Sequence, residues 1–294
     1  MIKPLLFALP DNESFTADLA ATLGSDLGTL DHRSFPDGET YLRLGDSPAG
    51  RNVVLVCTLA NPNAKFLPLL LAAATARDQG AAKVGLVAPY LAYMRQDRRF
   101  HEGEAVTSRH VAGLLSSAFD WLVTVDPHLH RYKSLSEIYT IPSEASHAAS
   151  LISDWIKANV PTPLLIGPDE ESEQWVAAVA ADIGAPFTVL KKIRHGDRDV
   201  EIRVKHLERL PGRTPVLVDD IISSGRTMLE AVHHIREHTS APVICVAVHG
   251  IFADHSDIAL LGAGARVVTT NTISHSSNEI DITGLLAPAI KALA

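Results

Sequence analysis

The sequence predicts an α/β protein of mainly parallel sheets flanked by helices, arranged as two similar halves. Short, almost purely apolar runs alternate along the chain with longer amphipathic ones, as when strands buried on both faces are covered by helices. Several apolar runs end in an acid or a small polar loop, the place where parallel sheets meet their ligands. The succession of apolar strand, polar loop and helix recurs in each half, with Ile141-Pro142-Ser143-Glu144 as the expected crossing. A chain of 294 residues suits two domains of ordinary size.

Taken in order, Leu5–Leu9 reads as the first strand. Its apolar run is soon followed by Asp11 and Glu13, too short for a membrane span or a typical signal peptide. Val53–Cys57 reads as the next strand and Phe66–Gln79 as a helix. Val84–Pro89 is a strand that opens into a charged loop reaching about Val106, and Thr107–Ser117 is a helix. Trp121–Val125 is a strand and Ser146–Ala158 a helix. In the second half, strands are expected at Leu164–Gly167, Val216–Asp219, Val243–His249 and Val267–Thr270. The helices between and after them are Glu171–Ile183, Arg226–His238 and Asp254–Leu261. His233, His234 and His238 lie on one of these helices and read as surface residues rather than metal ligands.

Hydrophobic residues make up 46% of the chain and charged residues 20%, enough for a substantial core and against disorder. The net charge of −8 argues against nucleic-acid binding through the whole surface. Cys57 and Cys245 both lie in apolar strand-like runs and read as buried, reduced thiols of a cytoplasmic protein. No apolar stretch is long enough to cross a membrane.

The most informative stretch is Val216-Leu217-Val218-Asp219-Asp220-Ile221-Ile222-Ser223-Ser224-Gly225-Arg226-Thr227. The loop offers hydroxyls, a glycine and free N–H groups at a helix start, which suits a phosphate. The two carboxylates suit sugar hydroxyls as donors. Their mutual repulsion sets this apart from an ordinary strand followed by a capped helix. A phosphorylated sugar satisfies both halves at once.

Four further stretches bear on nucleotide and phosphate chemistry. Ser34-Phe35-Pro36-Asp37-Gly38-Glu39-Thr40 alone is a turn, but its aromatic ring beside two acids suits a purine and its ribose. Arg95, Arg98 and Arg99 follow a strand end in an acidic protein. They form either a solvated, ion-paired loop or a basic flap for a polyphosphate. Asp126-Pro127-His128 and Pro168-Asp169 each put metal-ligating groups after a strand. His128 and Asp169 together suit one Mg²⁺, although an imidazole is an unusual ligand for so hard an ion. Lys192 and Arg194 alternate, so on a strand they share a face. That face is either an exposed basic edge or a cradle for an anion.

In this order the motifs resemble those of the ribose-phosphate pyrophosphokinase, or phosphoribosyl pyrophosphate synthetase, family. Phe35-Pro36-Asp37-Gly38-Glu39 is similar to its adenine-recognition segment, and Tyr93-Met94-Arg95-Gln96-Asp97-Arg98 to its flexible loop. Asp126-Pro127-His128 and Pro168-Asp169 resemble its Mg²⁺-binding segments. Lys192-Ile193-Arg194 resembles its catalytic pair, and Asp219–Thr227 its ribose-5-phosphate motif. The last alone would fit many phosphoribosyltransferases; all six together are specific.

The resemblance implies two duplicated phosphoribosyltransferase-type domains, 1–142 on the ATP side and 143–294 on the ribose-5-phosphate side. It implies that Lys192 and Arg194 are catalytic and that Mg²⁺ is the cofactor, held by His128 and Asp169. ATP falls to Phe35, Asp37, Glu39, Arg95, Gln96, Asp97, Arg98 and Arg99. Ribose 5-phosphate falls to Asp219, Asp220, Ser223, Ser224, Gly225, Arg226 and Thr227. A cytoplasmic homo-oligomer is implied, dimer-based and as large as a tetramer or hexamer, with Phe35 serving a neighbouring subunit. Neither nucleic acid nor membrane is an expected partner.

This chain departs from the family pattern at three places. Glu170-Glu171-Ser172 stands where glycines are usual after Asp169, and Ser223 and Arg226 alter the ribose-phosphate loop. Val106-Thr107-Ser108-Arg109-His110 differs after the basic loop. Two other functions fit part of the pattern. A non-catalytic nucleotide-binding paralogue would be expected to lack the Lys192–Arg194 pair or the arginine loop. A phosphoribosyltransferase that consumes phosphoribosyl pyrophosphate would not need the Phe35 and Arg95 segments.

Overall fold

The computed structural model describes residues 3–194, 200–204 and 211–294, with side chains for all of these except 171, 174, 191–194 and 200–204. Contacts divide the chain into two compact units, Met1–His147 with Thr283–Ala294, and Ala148–Ile282. The crossing comes a few residues later than 142/143, and the last helix belongs with the first unit.

The first unit runs β1 (Leu5–Ala8), α1 (Glu13–Leu23), β2 (Asp26–Gly28), β3 (Leu30–Ser34), β4 (Thr40–Leu44), β5 (Asn52–Val56) and α2 (Pro62–Asp78). It continues with β6 (Lys83–Ala88), α3 (Thr107–Ala118), β7 (Trp121–Val125) and β8 (Ser143–Ser146). A six-stranded sheet in the order β2-β1-β5-β6-β7-β8 is parallel throughout. Its central strands lack polar alternation because both faces are covered. Leu6, Phe7, Val53, Val54, Leu55, Val56, Leu86, Val87, Leu122 and Val123 are all fully buried. Each such side chain contributes roughly 1.5–3 kcal/mol of transfer free energy. Gly85 is required by a close approach: a Cβ there would stand 2.0 Å from the buried Trp121 ring. The hairpin of β3 and β4 is a separate antiparallel pair.

The second unit runs α4 (Ala149–Asn159), β9 (Pro163–Gly167), α5 (Glu173–Ile183), β10 (Phe187–Arg194), β11 (Val200–Val204), β12 (Thr214–Ile222) and α6 (Arg226–Arg236). After these come β13 (Val243–Gly250), α7 (Ser256–Gly262), β14 (Ala265–Thr270) and β15 (Asn278–Ile280). Helix α8 (Thr283–Leu293) then returns to the first unit, where it packs on α1 and β7. The sheet order is β11-β10-β9-β12-β13-β14-β15, parallel except for the β10–β11 hairpin. Helix α6 buries Met228, Ala231, Val232 and Ile235, the i, i+3, i+4, i+7 stripe of an amphipathic helix. That stripe closes on Leu217, Ile222, Val243, Cys245 and Ala247. The packing holds the start of α6 directly after the end of β12.

Cys57 and Cys245 are free and buried, as expected. Burial pushes the Cys57 thiol up to about 12 and Cys245 higher still, so neither is a nucleophile at neutral pH. Among the described residues no helix is long and apolar enough to cross a membrane.

Candidate active site

Strand β12 runs three residues past the expected end at Asp219, because β13 supplies partners as far as Gly250 opposite Ile222. Asp219 and Asp220 therefore sit inside the ladder, near its carboxyl end. The Asp219 carboxylate accepts the Asp220 N–H at 3.0 Å. Burial holds the Asp219 carboxyl well above the ordinary carboxylate range, and the charges of Asp220 and then Asp169 push it the same way. Part of its surface stays accessible, and among the described residues the charges that act on it are the carboxylates of Asp220 and Asp169. Three carboxylates crowded at strand ends fit a hard, oxygen-seeking dication, and they fit sugar hydroxyls as donors.

Ser223, Ser224 and Gly225 lead from β12 into α6, which begins at Arg226 and Thr227. Gly225 is in the left-handed region at φ 65°, a conformation glycine adopts without steric cost. Its carbonyl accepts the Leu229 N–H at 2.7 Å, so it opens the helix. The Ser256 hydroxyl donates to the Ser223 carbonyl at 2.8 Å. A Cβ on Gly225 would come within 2.7 Å of Ser256 Cβ. Ser256, buried at the start of α7, thus holds the loop from behind. Asp257 beside it pairs with His275 Nε2 at 3.4 Å. No sequence signal marked Ser256, whose role depends on tertiary placement.

Asp169 follows β9 in a tight turn. Its Oδ1 accepts the Ser172 N–H at 3.2 Å, and the Ser172 hydroxyl donates to the Asp169 carbonyl at 2.6 Å. A Cβ on Gly167 would fall 2.5 Å from Ser172 Oγ. Ser172, in the departure from the family's glycines, therefore fills the space beside Gly167 and shapes the Asp169 turn. Lys192 and Arg194 lie two apart on β10, with backbone partners Ile202 and Val200 on β11. Their side chains, and the following His195–Arg198, lie outside the described residues.

In the first unit, Phe35–Glu39 closes the β3–β4 hairpin. The Gly38 N–H reaches the Phe35 carbonyl at 2.9 Å and Asp37 Oδ1 accepts the Glu39 N–H at 3.1 Å. Phe35 is 39% exposed, meets Tyr41 edge to face, and lies 4.7 Å beneath the Arg33 guanidinium. Asp37 and Glu39 are exposed.

Arg95, Arg98 and Arg99 are exposed after β6. Arg98 stacks over Phe100 at 4.8 Å and Arg99 Nε donates to the Glu104 carbonyl at 3.0 Å. Gln96 and Asp97, both expected at ATP, make contacts that hold the base of the loop. Gln96 Oε1 accepts the Thr107 hydroxyl at 2.9 Å. Asp97 is buried and accepts from Arg131 Nη1 at 2.9 and 3.0 Å. A carboxylate committed to a guanidinium beneath the loop fixes the loop base. Arg131, a lone arginine in the sequence, was not among the expected residues.

His128 follows β7, with its ring 3.7 Å from that of His130. Asp126 just before it is buried and holds φ at 34°. Its Oδ1 lies 2.8 Å from His147 Nδ1, and this hydrogen bond raises the His147 imidazole above its ordinary value.

Parallel sheets carrying acids and a hydroxyl loop beyond their strand ends define a phosphoribosyltransferase-type protein. Residues 134–282 match the model of the phosphoribosyl transferase domain, and residues 4–118 match that of the N-terminal domain of ribose phosphate pyrophosphokinase. Ribose-phosphate pyrophosphokinase of Sulfurisphaera tokodaii is 34% identical over 93% of this chain and 94% of its own. That of Halobacterium salinarum is 31% identical over 97% of this chain and 100% of its own. The crystal structure of phosphoribosylpyrophosphate synthetase from Mycobacterium smegmatis superposes with a TM-score of 0.85 at 26% identity. It covers 99% of this chain and 98% of that one. The chain belongs to the ribose-phosphate pyrophosphokinase family.

Proposed function

We propose that this chain transfers the pyrophosphoryl group of MgATP to the 1-hydroxyl of ribose 5-phosphate, giving phosphoribosyl pyrophosphate and AMP for nucleotide biosynthesis. The observation that carries the reading is the juxtaposition on β12 and α6 of a crowded carboxylate pair and a pinned hydroxyl loop. Asp219 and Asp220 accept the ribose hydroxyls, whose O–H dipoles relieve part of the crowded charge. Ser223, Ser224, Gly225 and Thr227 bind the 5-phosphate through hydroxyls and N–H groups at the start of α6. Arg226 adds a cation there.

On the nucleotide side, the exposed Phe35 ring stacks on adenine, with Asp37 and Glu39 accepting from its amino group or ribose. Arg95, Arg98 and Arg99 neutralise the polyphosphate from a loop whose base Gln96 and Asp97 fix. In the reaction the ribose 1-oxygen bonds to the β-phosphorus, and the bond from that phosphorus to the AMP oxygen breaks. The hydroxyl proton passes to solvent. Lys192 and Arg194 stabilise charge on the moving phosphoryl group, a task of positioning and electrostatics. Mg²⁺ would be held by His128 and Asp169, and when bound it supplies neutralisation of the phosphate charge.

Free, buried thiols at Cys57 and Cys245 support a cytoplasmic setting. The exposed Phe35 at a hairpin tip supports a dimer-based homo-oligomer in which that ring serves a neighbouring subunit. The test is AMP formation from ATP that requires both ribose 5-phosphate and Mg²⁺. AMP release without ribose 5-phosphate, or none with it, would overturn the reading. Consumption of phosphoribosyl pyrophosphate with a free base would point to a phosphoribosyltransferase instead.

A further inference from the structure

Helix α6 carries a second cluster of ligating side chains at its other end. His234 lies in the last turn of α6, and Glu237 and His238, at i+3 and i+4, lie in the turn that continues it past Arg236, where this spacing puts side chains near one another. One ligand atom from each lies within 4.8 Å of the other two. His234 Nδ1 is 3.5 Å from Glu237 Oε2, and the two imidazole centroids are 5.0 Å apart. We propose that His234, Glu237 and His238 form a binding site for a zinc-class transition metal ion, separate from the reaction site.

The tautomers suit this. His238 Nδ1–H donates to the His234 carbonyl at 2.9 Å, so its Nε2 is left as a lone-pair donor. A hydrogen bond at one ring nitrogen sets the ligand at the other in metal-bound histidines generally. His234 Nε2 is buried without a hydrogen-bond partner, which leaves Nδ1, the atom beside Glu237, as its ligand. The nearest cation of the same turn is engaged elsewhere: Arg236 Nη1 donates to the Ala263 and Gly264 carbonyls at 3.0 and 3.2 Å. Glu237 and His238 are exposed, so their side chains are free of packing that would stop them converging on bonds of about 2.0–2.2 Å.

The donor set decides the metal. Two imidazoles and one carboxylate favour Zn²⁺, Ni²⁺ or Cu²⁺ over Mg²⁺, which prefers oxygen. An i, i+4 histidine pair chelates from a single helix and needs no other element. The cation would also face the negative end of the helix dipole. Eight residues at about 1.5 Å each put the cluster roughly 12 Å along the axis from Arg226. Metal binding therefore ties the last turn of α6 to the turn that follows Arg236, at the opposite end of the helix from the loop at Ser223–Gly225.

The test uses the untagged full-length chain, stripped of metal and held in excess Mg²⁺ so that oxygen-preferring sites are occupied. Co²⁺ titration followed by visible absorption, and Zn²⁺ titration followed by calorimetry, should show one more equivalent in the wild type than in His238→Ala or His234→Gln. Glu237→Gln should retain the site with affinity lowered roughly tenfold or more. Zn²⁺ should raise the melting temperature of the wild type and not that of His238→Ala, while activity in Mg²⁺ alone stays equal. Circular dichroism of His238→Gln guards against a folding defect. Equal stoichiometry in the wild type and the histidine variants, or no extra equivalent in the wild type, would overturn the proposal.

Discussion

Replacing Gly225 with alanine tests whether the pinned loop is the phosphate site. Two costs follow from the structure. Gly225 sits at φ 65°, where an L-residue with a Cβ pays about 1–2 kcal/mol. The new Cβ would also meet Ser256 Cβ at 2.7 Å, about 1 Å inside van der Waals contact, and overpacking of this kind costs roughly 1–3 kcal/mol. Relief by moving the loop breaks the 2.8 Å bond from Ser256 to the Ser223 carbonyl. Together the strain amounts to about 2–5 kcal/mol. Where the free loop relaxes into another shape, the cost appears on binding, since ligand must restore the native one. Every 1.4 kcal/mol is then a tenfold loss of affinity. Calorimetry should show ribose 5-phosphate affinity reduced about 10- to 100-fold, with any remainder as a lower melting temperature. The double variant Gly225→Ala/Ser256→Gly removes the clash and leaves the φ cost, so a mutant cycle should return about 1–3 kcal/mol of coupling. Unchanged affinity together with an unchanged melting temperature would refute the assignment of this loop.

Three further outcomes are expected. Lys192→Ala should lower turnover at least 100-fold while ribose 5-phosphate affinity changes little; undiminished turnover in a steady-state AMP assay removes Lys192 from catalysis. Arg131→Ala leaves the Asp97 carboxylate buried and unpaired; because Arg131 itself is half-exposed, the cost should be about 2 kcal/mol, below that of a fully buried pair. Denaturant unfolding should show it, and Asp97→Asn in the same background should restore most of it. His147→Ala should destabilise at low pH and converge on the wild type at high pH. The imidazole is raised by Asp126 above 6.5, so the pair's stability is present below 6.5 and lost as pH rises through the folded value. The effect is small because the His147 side chain is mostly exposed, and melting curves across that range would measure it.

The strands that position the site were legible because they are buried on both faces, so burial wrote itself into contiguous apolar runs such as Val53–Val56 and Ile244–Val248. Segments stabilised mainly by backbone pairing were not. Ser143–Ser146 is polar and runs from the expected crossing into the expected helix start, yet it pairs with Leu122–Val125 as an edge strand; the helix starts at Ala149 rather than Ser146. The β3–β4 hairpin, Leu30-Asp31-His32-Arg33-Ser34 with its partner strand, carries too many polar residues to show its period. Helix α8 is amphipathic, but which unit its apolar face joins is a long-range property. At the site, the acids and the hydroxyl loop announced themselves by local sequence. Arg131 and Ser256 did not, since each acts on a partner about thirty residues away.

The crowding at Asp219 links stability to function in one residue. Its folded carboxyl is raised above the ordinary 3.8, so the neutral form suits the fold. Stability is full below 3.8 and falls as pH rises through the folded value, where a charge must be held in a negative site. The unliganded protein at neutral pH thus carries an electrostatic penalty that donors or a cation can relieve. Asp219→Asn should remove that penalty and raise the melting temperature at pH 7 to 8, with the gain narrowing as pH falls toward 4. The same change keeps one acceptor oxygen but replaces the other with an NH2 donor, and on the proposed assignment it should weaken ribose 5-phosphate binding. A variant less stable at neutral pH, or one that binds unchanged, would show that Asp219 serves the fold alone. If the proposed site is correct, the pair stands where it costs the fold, and ligand binding offsets that cost.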